Sequence, residues 1–351
     1  YHRHDTDLPI TLLRVVRAPY ADHAKLQQLQ ALLADIEAGL ALDAAIARFD
    51  RVRRTAFTYR PVVVVAAQGF VTVGVCIFMG ASWLLAVIAF TAAVLAAVTQ
   101  RGMARIRVPL FFSQVVGALV VTAAAAATAA AGELGVGPFV DLRPSLIVAA
   151  AIVLMLSGMS VVAAAQDAID GFSLTAQGRV MEIVLSTVGV AAGVLGGLHL
   201  ASLAGFSIPI ATAFPLGSVP QQLVGSILIA IAVAIFFGST VRTILLSAGL
   251  GALAWAGWSV GMGLALGPPV SSALGALVTS FAGILVAHRL HVPSIAVTTA
   301  AIVPLVPGYA VFSGLVLLVD ADSTGGLVDG VVQLAGAAAI GLALAAGASL
   351  G

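Results

Sequence analysis

The chain has 351 residues, of which 61% are hydrophobic and 9% are charged, and its formal net charge is +1. Soluble domains carry about a quarter charged residues, so this composition excludes an ordinary soluble domain. The long apolar runs and a mean hydropathy of +1.12 predict an all-α polytopic membrane protein. A single cysteine, Cys76, cannot form a disulfide within the chain.

Residues 1–60 form a separate N-terminal segment that holds 16 of the 31 charged residues of the chain. Its β-branched run at 11–17 predicts a short strand. A first amphipathic helix is predicted between Asp22, a good helix cap, and Gly39, and a second over 42–54. We expect this segment to be cytoplasmic, and it contains no nucleotide-binding loop or catalytic triad. The residues with metal-ligating potential are His2, His4 and His23, and we expect all three to be inert.

Successive apolar runs from residue 61 onward predict ten transmembrane helices, in a first repeat at 61–204 and a second at 205–351. Cytoplasmic loops are enriched in Lys and Arg. With the N-terminus inside, the arginines cluster in cytoplasmic segments and only Arg143 lies outside, which predicts that both termini are cytoplasmic. The predicted spans are 61–79, 81–98, 109–131, 144–165, 179–204, 221–238, 241–263, 270–287, 293–319 and 328–349.

Two stretches about 150 residues apart, 144–160 and 293–310, have similar sequences. The tetrapeptide GALV also occurs twice, at 117–120 and at 275–278. Each predicted half has five spans, so the second half enters the bilayer from the opposite face. This is the inverted-repeat arrangement of many secondary transporters. Chance similarity between helices rich in Ala, Val and Gly is the alternative.

Both repeated stretches contain residues that interrupt a helix. Pro304 and Pro307 each remove a backbone donor, and Gly308 adds conformational freedom. Irregular backbone at membrane depth is tolerated only inside protein or beside a water-filled cavity, so we expect a substrate path here. A structural kink without a ligand is the alternative. The remaining candidate substrate-binding residues are Ser157, Gly158 and Ser160 at the first break, and Thr298 and Thr299 before the second.

The acids near the fourth and fifth spans are candidates for proton coupling or gating. Glu182 lies inside an apolar run, three residues after Arg179, so the two are predicted to share a helix face. Intramembrane ionisable groups tend to mark ion or substrate pathways. A Glu182→Gln variant is therefore expected to lose coupling, whereas a static ion pair with Arg179 is the alternative. The other candidates are Asp167, Asp170 and Asp320; a solvated loop with a turn at Asp170-Gly171 is the alternative for the first two.

Glycines recur every four residues on two predicted spans, at Gly189, Gly193 and Gly197 and again at Gly257 and Gly261. Small residues at this spacing let membrane helices approach closely. We expect both glycine rows to be helix contacts.

The run at 166–194, QDAIDGFSLTAQGRVMEIVLSTVGVAAGV, followed by PSIAVTTAAIVPLVPG at 293–308, resembles the threonine/serine exporter family. The resemblance covers residues 11–350. It implies an inner-membrane protein with a cytoplasmic extension and two five-span portions, which exports threonine and serine with the proton gradient. Family members usually carry more sequence before the strand at 11–17. A related two-polypeptide system exports dicarboxylates such as succinate.

The resemblance and the breaks together predict a secondary exporter with alternating access around a midplane site. The substrate carboxylate is expected at the backbone amides after Gly308, and its ammonium group at Glu182 or Asp167. Its partners are small hydroxy amino acids, protons and the lipid bilayer, without nucleic acid or cofactor, and a homo-oligomer is possible. A dicarboxylate exporter and an uncoupled channel or scaffold are the alternatives, the interior cation Arg179 mildly favouring a zwitterion over a dicarboxylate.

Overall fold

A computed structural model describes residues 22–153, 155, 158–206, 216–290, 292–319 and 324–351. Every regular element in these ranges is helical. The predicted strand at 11–17, together with His2, His4, Ser157 and Asp320, lies outside them. The helices are α1 His23–Glu37, α2 Leu42–Arg54, α3 Pro61–Phe78, α4 Trp83–Arg105, α5 Leu110–Glu133, α6 Pro144–Ile152, α7 Gly158–Ile169, α8 Ser173–Leu203, α9 Val219–Phe236, α10 Val241–Gly263, α11 Gly267–Leu290, α12 Ser294–Ile302, α13 Gly308–Val319 and α14 Thr324–Leu350.

Eight helices in the described ranges are long and apolar enough to cross a membrane: α3, α4, α5, α8, α9, α10, α11 and α14. This confirms the class of polytopic membrane protein. The two other predicted spans, 144–165 and 293–319, are each divided into two shorter helices. The first is divided between α6 and α7. The second is divided between α12 and α13 by a 3-10 turn at Val303–Leu305, where Pro304 and Pro307 remove the donors that a continuous helix needs.

Helix α6 lies at the centre of the fold, and all nine of its residues are buried. It packs against α3, α4 and α5, and the corresponding half-helix α12 packs against α9, α10 and α11. Ile147 and Ile152 of α6 belong to one buried cluster with Ala300 and Val303 from the other half of the chain. The two interrupted segments are therefore held in a shared core.

The glycine rows pack as predicted. Gly189, Gly193 and Gly197 of α8 face α5, and a methyl group added at Gly193 would overlap the carbonyl oxygen of Val115. In the second half, Gly347 of α14 meets the carbonyl of Ala273 on α11 in the same way. Gly257 and Gly261 of α10 face Gly275 and Ser271 of α11. Glycine permits these backbone approaches because it has no Cβ atom.

Helix neighbours in the first half recur in the second. α3 packs on α4, α4 on α5, α5 on α8, and α7 on α8; α9 packs on α10, α10 on α11, α11 on α14, and α13 on α14. Across the halves, α3 and α9 form an extensive contact in which Gly74 meets Ile229 and Gly225 meets Phe78. Along this contact the residue numbers increase on α3 as they decrease on α9, so the two helices are antiparallel.

The helices α1 and α2 form an N-terminal cap, residues 22–54, with bounds as predicted. Asp22 accepts a hydrogen bond from the Lys25 backbone amide, and Gly39 ends the first helix with φ of 98°. The cap sits on the loop between α9 and α10. The backbone amide of His23 donates to the carbonyl of Phe237 at 2.9 Å, and its Nδ1 lies 2.9 Å from the hydroxyl of Ser239.

The buried His23 makes cap docking sensitive to pH. Burial lowers the pKa of His23 from 6.5 to about 4, although the nearby Asp22 opposes this shift. Because the docked state disfavours the charged imidazole, the docked contact is fully stable above pH 6.5 and weakens as pH falls from 6.5 towards 4. The loss is about 3 kcal/mol at most.

We expect protease cleavage between α2 and α3 to accelerate as pH is lowered from 7 to 4.5, because the cap detaches. Limited proteolysis with an acid-tolerant protease checks this. His23→Gln, which has no titratable group, should give the same cleavage rate at both pH values, and an unchanged pH response in that variant would contradict the assignment to His23.

Candidate functional site

The two helix interruptions meet in space. Val153, the first residue after α6, contacts Gly308, the first residue of α13, and a Cβ atom built on Gly308 would lie 3.4 Å from the Cβ atom of Val153. Pro307 and Gly308 are both buried there. This crossing point joins the two segments that the sequence repeat relates.

The hydroxyl groups predicted to bind substrate near the breaks receive less direct support from the structure. Thr298 donates to the carbonyl of Ser294 one turn earlier, at 2.9 Å, so its hydroxyl is used within its own helix. Its methyl group lies beside Gly283 on α11. Thr299, Ser160 and Pro304 are half-buried. Their roles as substrate ligands remain predictions.

A network of side-chain amides holds the backbone at the first break. Gln114 of α5 donates to the carbonyl of Met155 at 3.3 Å, and Ser186 of α8 donates to the same carbonyl at 3.2 Å. Gln100 of α4 donates to Oε1 of Gln114 at 3.0 Å. The carbonyl of Met155 therefore accepts from side chains of two long helices, and Gln100 of a third helix supports Gln114.

A cavity of about 1480 Å³ leads from one end of the bundle to this network. Its mouth is lined by Arg60, Arg101, Arg105 and Arg107. Its inner end is lined by Gln68, Thr72, Gln100, Ser113, Gln114, Ala151 and Met155. The last two belong to the interrupted segment, so water at the mouth has a path to the first break.

The lining combines cationic and neutral polar groups. It contains four arginines and no Asp, Glu or His among the residues that the structure describes. Such a wall attracts a carboxylate and offers neutral oxygen atoms to an ammonium group. The glutamines Gln68, Gln100 and Gln114 were not among the predicted site residues. An amide inside an apolar span is nevertheless a signal, because an unpaired polar group is costly there.

Arg179 pairs with Asp167 and not with Glu182, so the alternative of a static Glu182–Arg179 ion pair is wrong. Arg179 Nε donates to Asp167 Oδ2 at 2.6 Å, with both side chains half-buried. Glu182 lies on an exposed face of α8 and has no ion pair within the described ranges. Asp170 is exposed in the turn between α7 and α8, where Gly171 has φ of 86°. This turn folds α8 back along α7 and brings Arg179 to Asp167.

Comparisons with known proteins agree with the sequence resemblance. Two models of the threonine/serine exporter family match the chain, one at residues 2–201 and the other at 222–350. The chain belongs to the threonine/serine exporter family. The first match ends at residue 201 and the second begins at residue 222.

Two members of the exporter family illustrate the similarity. The protein named "Probable threonine/serine exporter" of Mycobacterium tuberculosis is 32% identical over 98% of this chain, and the "Threonine/serine exporter" of Corynebacterium glutamicum is 28% identical over 98%. The chain spans 64% and 70% of the lengths of these relatives. No solved structure matches the chain.

Proposed function

We propose that the protein is a secondary active exporter of small hydroxy amino acids, threonine and serine, in a bacterial inner membrane. The observation that carries this proposal is a cavity with arginines and glutamines in its wall that reaches the first interrupted helix, which in turn contacts the second, in a chain of this family. Interrupted helices around a midplane site are the usual construction of alternating-access transporters. An uncoupled channel does not need this construction.

The helix arrangement supports two inverted five-span repeats that cross the membrane ten times. The equivalent helices α3 and α9 are antiparallel, and the same helix neighbours recur in both halves. Each half contains one interrupted segment at the same position in the order. We propose that the halves move against one another about the crossing of Val153 and Gly308.

The arginines at the cavity mouth support an orientation with this mouth in the cytoplasm. Arg60, Arg101, Arg105 and Arg107 lie at one end of the bundle, where the positive-inside rule predicts cytoplasm. At the other end of α3 the helix ends are in contact. The backbone amide of Gly217 donates to the carbonyl of Phe78, and the ring centroids of Phe78 and Trp258 are 6.4 Å apart. In this proposal the described conformation opens to the cytoplasm, and both termini are cytoplasmic.

The export test is counterflow in reconstituted vesicles, comparing threonine, serine and succinate with and without a pH gradient. We expect threonine and serine to exchange, and an imposed gradient to drive net export. One proton returning through 100 mV releases about 2.3 kcal/mol, which supports about fifty-fold accumulation. Gradient-driven succinate exchange without threonine exchange would overturn the proposal.

A dicarboxylate exporter remains the second candidate. The arginines at the mouth and the amides at the inner end of the cavity would suit two carboxylates. A dicarboxylate therefore has cationic partners other than Arg179, so the small number of interior cations no longer argues against this substrate. The names of the two relatives favour the hydroxy amino acids.

We assign proton handling to Asp167 rather than to Glu182. Asp167 pairs with Arg179 at the end of the first interrupted segment, so its protonation would break an ion pair beside moving helices. Asp167→Asn is expected to abolish the response of efflux to a pH gradient while counterflow continues, since exchange of a neutral zwitterion needs no proton.

The matched control is Glu182→Gln, which changes an exposed carboxylate on the following helix. It should keep both gradient-driven efflux and counterflow, measured with labelled threonine in vesicles. A full gradient response in Asp167→Asn, or its loss in Glu182→Gln, would exclude this assignment.

A further inference from the structure

The amide oxygen of Gln68 is a buried acceptor at the wall of the cavity. Gln68 lies two turns into α3, and its Oε1 has no hydrogen-bond partner among the described residues. A buried acceptor without a partner is costly, and most such groups in folded proteins are paired with protein or ordered water. Because Gln68 lines the cavity, a turn of its amide group would present Oε1 to a donor that arrives with a ligand.

Other residues that line the cavity favour a positively charged donor. Ala151 and Met155, at the carboxyl-terminal end of α6 and just beyond it, line the same cavity. A helix carries partial negative charge at this end. The neighbouring amide nitrogens are engaged, because Gln114 donates to Met155 and Gln100 donates to Gln114.

The rest of the cavity fixes which end of a ligand reaches Gln68. The arginines at the mouth attract a carboxylate, and the lining contains no acidic side chain in the described ranges. A zwitterion entering this field orients its carboxylate towards the arginines and its ammonium group towards the acceptors at the inner end. A ligand with a second cationic group is repelled by the same arginines.

We propose that Gln68 Oε1 and the carboxyl-terminal end of α6 form the ammonium subsite for a zwitterionic α-amino acid. This inference rests on the proposed export of amino acids and names a site for it. It replaces the predicted acids: the ammonium group meets neutral oxygens, and Asp167 is left to the proton. Recognition of the amino group and movement of the proton are thus performed by different residues.

Equilibrium binding to the purified full chain in lipid nanodiscs tests this subsite. The probes are labelled L-threonine and 3-hydroxybutyrate, which keeps the carboxylate and hydroxyl but lacks the ammonium group. Gln68→Met keeps the length of the side chain and removes the amide. It is expected to weaken threonine binding about ten-fold or more, and to leave the Kd for 3-hydroxybutyrate unchanged, because a hydrogen bond to a charged group is lost.

Two further variants make the result specific. Gln68→Glu should retain threonine and weaken 3-hydroxybutyrate, since a carboxylate attracts the ammonium group and repels an acid without one. Gln333→Met is the matched control: its amide donates to Ser313 in the contact between α13 and α14. It should bind both probes as the unchanged protein does. Thermal melting confirms that each variant is folded.

The outcomes separate this inference from the proposed function. Equal weakening of both probes in Gln68→Met, or no weakening of either, overturns the ammonium subsite while export of amino acids stands. Failure of the unchanged protein to bind threonine or serine overturns both. Selective loss of threonine, with the opposite selectivity in Gln68→Glu, supports the subsite.

Discussion

Joining residues 153 and 308 by a disulfide is expected to stop export. The Cβ atom of Val153 lies 3.4 Å from the Cβ position at residue 308, close to the spacing found in disulfides. The pair links the two interrupted segments where the halves cross. If the halves must move against each other, oxidation of Val153→Cys with Gly308→Cys should reduce efflux to the level of protein-free vesicles.

The background for this experiment is Cys76→Ala, which removes the native cysteine, a buried residue on α3. Oxidation should leave the efflux of each single cysteine variant unchanged, and reduction of the double variant should restore efflux to the level of the single variants. Mobility on non-reducing gels and labelled-threonine efflux are measured on the same sample. Full efflux from a completely cross-linked sample would show that this crossing does not move.

Gly193→Ala is expected to destabilise the protein strongly, whereas Gly196→Ala on the same helix should have little effect. A Cβ atom at 193 would overlap the carbonyl of Val115 and lie 2.8 Å from the Cβ atom of Ala118. A Cβ atom at 196 meets nothing within 4 Å. Overpacking of this kind costs about 1–3 kcal/mol, and a backbone oxygen cannot rotate away.

The melting temperature in detergent, followed by tryptophan fluorescence, measures the difference between these two variants. Gly347→Ala, which meets the carbonyl of Ala273 in the second half, should resemble Gly193→Ala. Equal melting temperatures for Gly193→Ala and Gly196→Ala would show that α5 and α8 are not closely packed at this point.

Local signals were sufficient to predict the helix interruptions and the glycine contacts. Pro304, Pro307 and Gly308 alter the backbone at their own positions, so a few adjacent residues are enough to predict the break. The rows at Gly193 and Gly257 predict a close approach because the four-residue period places small residues on one face. The bounds of α1 and α2 likewise follow from Asp22 and Gly39.

Interactions between helices that are distant in the chain could not be predicted from local sequence signals. Arg179 and Glu182 share one helix by spacing, but the choice of Asp167 depends on the turn at Gly171, which sets two helices side by side. The glutamines lie on three different helices, and only the fold brings them to one cavity. Their spacing in the chain carries no periodic signal.

The N-terminal cap also has a mechanical consequence. Phe57 packs on Gly238, and the hydroxyl of Tyr59 donates to the backbone carbonyl of Ser239. These contacts attach the linker between α2 and α3 to the loop that joins α9 and α10. In the proposed cycle, widening of the arginine-lined entrance would strain these contacts. A molecule that binds residues 22–54 more tightly in one state than in the other would therefore bias the proposed transport cycle from the aqueous side, by its difference in affinity.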